Sequence, residues 1–179
     1  MRIESTDKRV ALRSLKNEDI SLIQELANNP KVAANLRDAF PHPYTIDDAT
    51  KFVDEAIISQ PQNRFAILEN DIYVGNIGIH LLDDVYSNSA EIGYFIGEPY
   101  WNRGIATEAL KLAVNYGFEI LKLRRIFAGI FSFNPASAKV LEKAGFEYEG
   151  TLKAAIIKNG EIYDEIRYGI VNENITITK

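Results

Sequence analysis

The segment Glu91 to Ala109, EIGYFIGEPYWNRGIATEA, holds the residues whose types and order best suit chemistry. A strand-like run ends, Gly97, Pro99 and Gly104 bend the chain, and small residues open a helix. The first turn of a helix presents unpaired N–H groups and the positive end of its dipole, which together attract anions. Arg103 adds a positive charge there, Gly104 removes a Cβ that would crowd a phosphate, and Thr107 supplies a hydroxyl. Read alone, the same residues equally describe an ordinary strand-to-helix turn. Two other phosphate-binding patterns are missing. G-x-G-x-x-G does not occur, and Gly145 to Thr151 has the G-x-x-x-x-G spacing with Thr151 where the lysine belongs.

A second segment, Asn134 to Phe146 (NPASAKVLEKAGF), reads as a capped helix. Asn134 suits the N-cap, Pro135 the first helical position and Gly145 the C-terminal cap.

Composition narrows what these residues can do. The 179 residues include no Cys, which removes disulfides, thiolate metal sites and a Cys nucleophile together. Two histidines, His42 and His80, leave little room for an imidazole metal site or a Ser-His-Asp relay. His42, between Pro41 and Pro43, reads as part of a rigid surface loop, and His80, in an apolar strand, as a satisfied structural histidine. A net charge of −5 argues against a nucleic-acid surface, which needs a basic face. No apolar stretch nears the roughly 20 residues that span a bilayer, and the polar start MRIESTDKR is no signal core. These features predict a cytoplasmic protein whose catalysis, if any, runs on carboxylates, hydroxyls, backbone amides and a bound co-substrate.

The elements that must position the two segments follow from periodicity. Val10 to Leu15 reads as a strand, and Asn17-Glu18-Asp19 caps a helix carrying Ile20, Ile23, Leu26 and Ala27, stopped by Asn28-Asn29-Pro30. Thr45-x-x-Asp48 begins a second amphipathic helix through Ile57. Three strands at 64–69, 73–82 and 90–96 form an antiparallel meander. A helix over 104–121 follows, then a strand at 125–131 and a helix at 135–144. Strands at 147–157 and 162–171 are joined by the Asn159-Gly160 turn. The order predicts a mixed α/β fold whose mainly antiparallel sheet has a βαβ crossover near its middle. The last strands, ending ENITITK, could pair between subunits or finish a monomer.

Together, YWNRGIATEAL (Tyr100 to Leu110) and the Asn134 segment resemble the acetyl-CoA-binding motifs of the GNAT N-acetyltransferases. They are similar in particular to the branch containing the ribosomal-protein N-terminal (RimJ/RimL-type) acetyltransferases. The similarity runs from the Val10–Leu12–Arg13 opening to the 162–171 strand. It implies one GNAT domain over residues 1–179, with helices on both sheet faces and a splayed parallel strand pair that admits CoA. A pyrophosphate cradle is implied at Trp101, Asn102, Arg103, Gly104, Ile105, Ala106 and Thr107. The family pattern is Gln or Arg, two residues, Gly, one residue, then Gly or Ala. Gly104 and Ala106 match it, while Trp101 takes the first position, so binding rests on backbone N–H groups with Arg103 as helper. The resemblance further implies that Phe95 and Ile96 pair through their backbone with the pantetheine arm, that one of their amides meets the developing oxyanion, and that Asn134 hydrogen-bonds the arm.

The activity implied is acetyl transfer from acetyl-CoA to a primary amine, by direct attack on the thioester and without a metal. Alkyl amines arrive protonated, so a base is required. Glu91, on the strand leading into the cradle and on the face of Gly93 and Phe95, is the candidate base. Many relatives place a Tyr acid seven residues after the Asn; Leu141 stands there, and the branch resembled uses the N-x-x-S serine, here Ser137. The implied acceptor is a protein N-terminus or a small-molecule amine, with no nucleic acid or membrane partner, in a monomer or homodimer. A non-catalytic acetyl-CoA sensor or interaction protein is the alternative.

Overall fold

The structure, a computed structural model, describes residues 1–174. The chain forms strands β1 (Arg2–Glu4) and β2 (Val10–Ser14) and helices α1 (Ile20–Ala27), α2 (Pro30–Ala33) and α3 (Ile46–Ile58). Then come β3 (Arg64–Glu69), β4 (Ile72–Leu81), β5 (Ser89–Ile96), α4 (Ile105–Glu119) and β6 (Arg125–Phe131). Helix α5 (Pro135–Lys143) and strands β7 (Glu147–Lys158) and β8 (Glu161–Val171) complete it. The sheet order is β1-β2-β3-β4-β5-β6-β8-β7, antiparallel except where β5 runs parallel to β6. That is the mixed, mainly antiparallel α/β sheet the sequence predicts. The parallel ladder runs from Ser89↔Arg125 to Glu91↔Phe127 and stops well before β5 ends.

Contacts gather into two units. The first comprises Met1–Gly78 and Tyr94–Leu112; the second comprises Ile79–Gly93 and the chain from Ala113 onward. In the first, one face of β2 and β3 buries Ala11, Leu15, Ala66 and Leu68 against Ile23 and Ala27 of α1 and Ala49, Val53 and Ala56 of α3. The spacing of those helix residues makes the single apolar stripe that a sheet-covering helix needs. Thr45 caps α3 in the expected box: its hydroxyl accepts from the Asp48 amide, and the Asp48 carboxylate accepts from the Thr45 amide and hydroxyl. Those bonds hold the Asp48 carboxyl below its usual range. The cap's stabilisation is therefore present at neutral pH and lost as pH falls through that depressed value.

In the second unit Gly117 lets α4 close on β6, because a Cβ there would lie 2.6 Å from Ile126 Cδ1. Helix α5 packs on the same face, where the Tyr168 hydroxyl donates to Glu142 at 3.0 Å. Strands β7 and β8 pair through a tight turn with Asn159 and Gly160 both at positive φ, as the Asn-Gly signal requires.

Two elements escape the sequence reading. Strand β1 carries only Ile3 as an apolar residue, and its charged neighbours suit an edge strand that must repel further pairing. Asn28-Asn29-Pro30 ends α1 as expected but also begins α2, since Asn29 Oδ1 accepts from the Lys31 amide at 2.8 Å. The stop and the start share the same residues. The tail beyond Asn174, including most of ENITITK, lies outside the described residues.

Asp19 is the buried charge that joins β2 to α1. It is 1% exposed, receives both Arg13 Nη atoms at 2.6 Å, and accepts from the Lys16 amide at 3.0 Å. Removing one partner of such a pair strands the other. Asp19→Ala is expected to cost about 3 kcal/mol, read as a lower denaturant midpoint at unchanged slope. A midpoint equal to wild type would remove this ion pair from the fold's determinants.

Candidate active site

The loop between β5 and α4 lies within the first unit and carries most of the predicted cofactor residues. A single helical turn, Glu98–Tyr100, follows Gly97, and the chain then passes through left-handed backbone at Asn102 (φ 61) and Gly104 (φ 75). Gly104 suits that conformation because other residues adopt it at a cost. The first bond into α4 runs from the Glu108 amide to the Gly104 carbonyl at 3.2 Å. The amides of Ile105, Ala106 and Thr107 precede it, at the end of a 15-residue helix.

Several loop carbonyls accept from side chains instead of amides. Trp101 Nε1 donates to the Ile96 carbonyl at 2.6 Å, and Arg103 Nη2 to that of Pro99 at 2.9 Å. Arg9 Nη1 donates to the Arg103 carbonyl at 3.2 Å. Trp101 thus stands where the family pattern has Gln or Arg and acts on the backbone of β5. Arg103 is folded back, stacked 5.3 Å over the Tyr100 ring and 3.2 Å from Glu69. Glu98 is fixed by Lys31 and by Asn29 Nδ2, which hold its carboxyl below the usual range.

Phe95 and Ile96 are buried, at 8% and 7% exposure, so their side chains belong to the packing. Phe95 meets Phe40 edge-on at 5.6 Å. Gly75 on β4 permits the Phe95 carbonyl to approach: a Cβ there would lie 2.1 Å from that oxygen.

The second unit holds the remaining predicted residues. Asn134 caps α5 with Oδ1, which accepts from the Ser137 amide at 3.1 Å; the cap does not use Nδ2. Ser137 is half-buried in the first turn of α5. Glu91 is half-buried on β5, in register with Phe127 of β6, so both side chains share a sheet face. The Phe127 ring carries the guanidiniums of Arg125 and Arg167, 4.9 and 5.1 Å from its centroid. Arg125 pairs with Glu149, and Arg167 with Glu165 at 2.7 Å. Gly169 and Gly129 leave room for those carboxylates, since a Cβ would lie 2.1 and 2.8 Å from them. The sequence reading did not find this charged face. Its signal was the pair of glycines inside strands, each marking a close approach.

His80 is exposed, and its Nε2 stands 3.9 Å from the Cβ position of Gly93. Counting two residues along each strand from the Leu82–Ser89 hydrogen bond brings it opposite Glu91. His42 is exposed in its loop, as expected. Tyr44, Tyr73, Tyr116 and Tyr168 are buried, and burial pushes the Tyr44 hydroxyl up to about 12. Among the described residues no group of three or more His, Asp or Glu could hold a metal, and no helix is long and apolar enough to cross a membrane.

Comparison with known proteins agrees with this fold. The family model of the acetyltransferase (GNAT) domain matches residues 9–147. The chain is 33% identical over 168 residues to the uncharacterized N-acetyltransferase YoaA of Bacillus subtilis, covering 91% of this chain and 93% of that one. The spermidine N-acetyltransferase of Vibrio cholerae, solved with CoA and spermine, superimposes with a TM-score of 0.78 at 25% identity, covering 91% and 95% of the two chains. Mycobacterium smegmatis RimJ, solved with CoA-disulfide, shares the fold with a TM-score of 0.80 at 23% identity, covering 94% and 85%.

Gly104→Ala puts a methyl group at positive φ beside the first turn of α4. It is expected to raise the acetyl-CoA Kd about tenfold, the equivalent of roughly 1.4 kcal/mol, while the protein stays folded. Calorimetric titration checks this, and an unchanged Kd would mean that the first turn of α4 does not meet the cofactor.

Proposed function

We propose direct acetyl transfer from acetyl-CoA to a primary amine for this chain, which belongs to the acetyltransferase (GNAT) family. The observation that carries the reading is the loop before α4, where side chains serve the carbonyls and the first-turn amides precede the helical ladder. A cradle of that kind suits a pyrophosphate. In this reading residues 101–107 bind it, with Ile105, Ala106 and Thr107 offering amides and Asn102 and Gly104 the turn that aims them. The backbone of Phe95 and Ile96 holds the pantetheine arm, and Asn134 donates through Nδ2. Because the Ile96 carbonyl already accepts from Trp101, the amides of this stretch carry the larger share.

Acetyl-CoA supplies the activated acyl group and a thiolate leaving group. The protein's part is to orient the amine, take its proton and steady the charges. Glu91 accepts the proton, directly or through a water, and Ser137 hydrogen-bonds the departing sulfur. A backbone amide near Phe95 or Ile96 meets the carbonyl oxygen. The whole chain acts as one GNAT domain, and its acceptor is a polyamine, another small amine or a protein N-terminus. The net charge of −5 favours approach by a cationic acceptor. A cytoplasmic setting suits both acetyl-CoA and these acceptors.

Turnover of acetyl-CoA across peptides with varied N-termini, polyamines and aminoglycosides tests the activity. Glu91→Gln is expected to lower kcat at neutral pH about a hundredfold, the lower range for a general base, with the acetyl-CoA Kd unchanged. Turnover equal to wild type would take the proton role from Glu91. Ser137→Ala is expected to lower kcat by a smaller factor, and full activity would free the sulfur of any need for this hydroxyl.

A further inference from the structure

The cradle loop is tied to the start of β2 by the side chain of Arg9. Arg9 Nη1 donates both to Glu69 Oε1 at 2.8 Å and to the Arg103 carbonyl at 3.2 Å. Glu69 in turn accepts from Arg103 Nη1 through its other oxygen, at 3.2 Å. Glu69 is nearly buried, with 11% of its side chain exposed, so it is a fixed anchor and not a swinging surface acid. Arg9 Nη2 also lies 3.9 Å from the Cβ position of Gly104. One guanidinium therefore touches the peptide between Arg103 and Gly104, where the chain turns left-handed before α4.

We propose that Arg9, anchored by Glu69, is a positioning residue that holds the cradle in its phosphate-binding conformation. The inference rests on the reading of that loop as the acetyl-CoA cradle. Its physical basis is the accounting of the Arg103–Gly104 peptide. A carbonyl must find a donor, and if a nearby amide supplied it the loop would close on itself. Arg9 supplies that donor from outside the loop and sets the direction of the Arg103–Gly104 peptide. Nη1 makes both bonds, and the planar guanidinium fixes the angle between them, which a freely rotating lysine ammonium does not, so lysine is a poorer substitute. Asp7, 3.8 Å from Arg9 Nε, steadies the same guanidinium from the solvent side.

The test compares two acyl donors, acetyl-CoA and acetyl-pantetheine, which lacks the phosphates. Arg9→Met and Arg9→Lys are assayed with both, alongside thermal unfolding of each protein. The expected result is a KM for acetyl-CoA raised about tenfold in Arg9→Met, with kcat nearly unchanged and kcat/KM for acetyl-pantetheine held at the wild-type value. Arg9→Lys is expected to recover only part of the loss. An unchanged KM for acetyl-CoA in Arg9→Met overturns the proposal. Equal losses with both donors overturn it too, because they mark a residue that supports the fold alone. Wild-type protein that neither binds nor turns over acetyl-CoA defeats the cradle reading itself, a result distinct from either of these.

Discussion

A helix can hold an anion at its N-terminus only if nothing in the protein has already taken its first amides. That constraint shapes the whole loop from Gly97 to Gly104. Loops ordinarily satisfy their carbonyls with their own amides, which would draw in the groups a pyrophosphate needs. Here the carbonyls of Ile96, Pro99 and Arg103 accept from an indole and two guanidiniums. The amides of Tyr100 and Trp101 are used within the turn, on the Gly97 and Glu98 carbonyls, while those of Ile105, Ala106 and Thr107 precede the first helical bond. This explains why a cradle can carry Trp101 and Arg103 without either one reaching forward. Their polar atoms act on the loop.

The shortage of catalytic side chains has the same logic. A chain with no Cys, two His and no metal-binding cluster among its described residues has few ways to activate an acyl group. A thioester co-substrate brings both activation and leaving group, and what the protein must add is mostly backbone: oriented amides, a strand end and a helix end. Side chains then have two kinds of work, holding that backbone in place and moving a proton. Glu69 and Arg9 belong to the first kind, and Gly75 helps by having no side chain, which lets the Phe95 carbonyl approach. None of them is recognisable from a motif, since each acts through geometry that only the folded chain brings together.

That difference decides what was legible in the sequence. Periodicity located the long strands and helices to within a residue or two, because a buried face imposes its period on the chain. The capping signals at Thr45 and Asn134 were legible because a cap needs only its own neighbours. Strand β1 was not, since an edge strand is held by its ladder and not by apolar spacing. The exposure of His80 was not legible for a related reason. Its flanking residues Ile77 and Ile79 are buried, but alternation along a strand puts residue 80 on the other face, and exposure depends on what covers that face. Arg9 lies 94 positions from Arg103, and no local pattern can register a contact at that separation.

Strand β5 shows how one element can serve chemistry in two different ways. In its first half burial alternates: Ala90 and Ile92 are buried, while Glu91 and Gly93 are not. That half places the half-buried Glu91 side chain on the less covered face. In its last part Phe95 and Ile96 are buried in succession, as is Gly97 just beyond, so side chains on both faces are covered. Only the backbone is left to offer there, and the parallel ladder has already ended at Glu91↔Phe127. A strand whose pairing partner stops early keeps backbone groups available at the point where its side chains withdraw. An extended pantetheine arm is a chain of amides and methylenes, and it can be bound by such a strand end much as an added strand would be. The burial pattern and the early end of the ladder are thus two sides of one requirement. Under the proposed transfer, the strand gives up side-chain chemistry at the position where the arm asks for backbone groups.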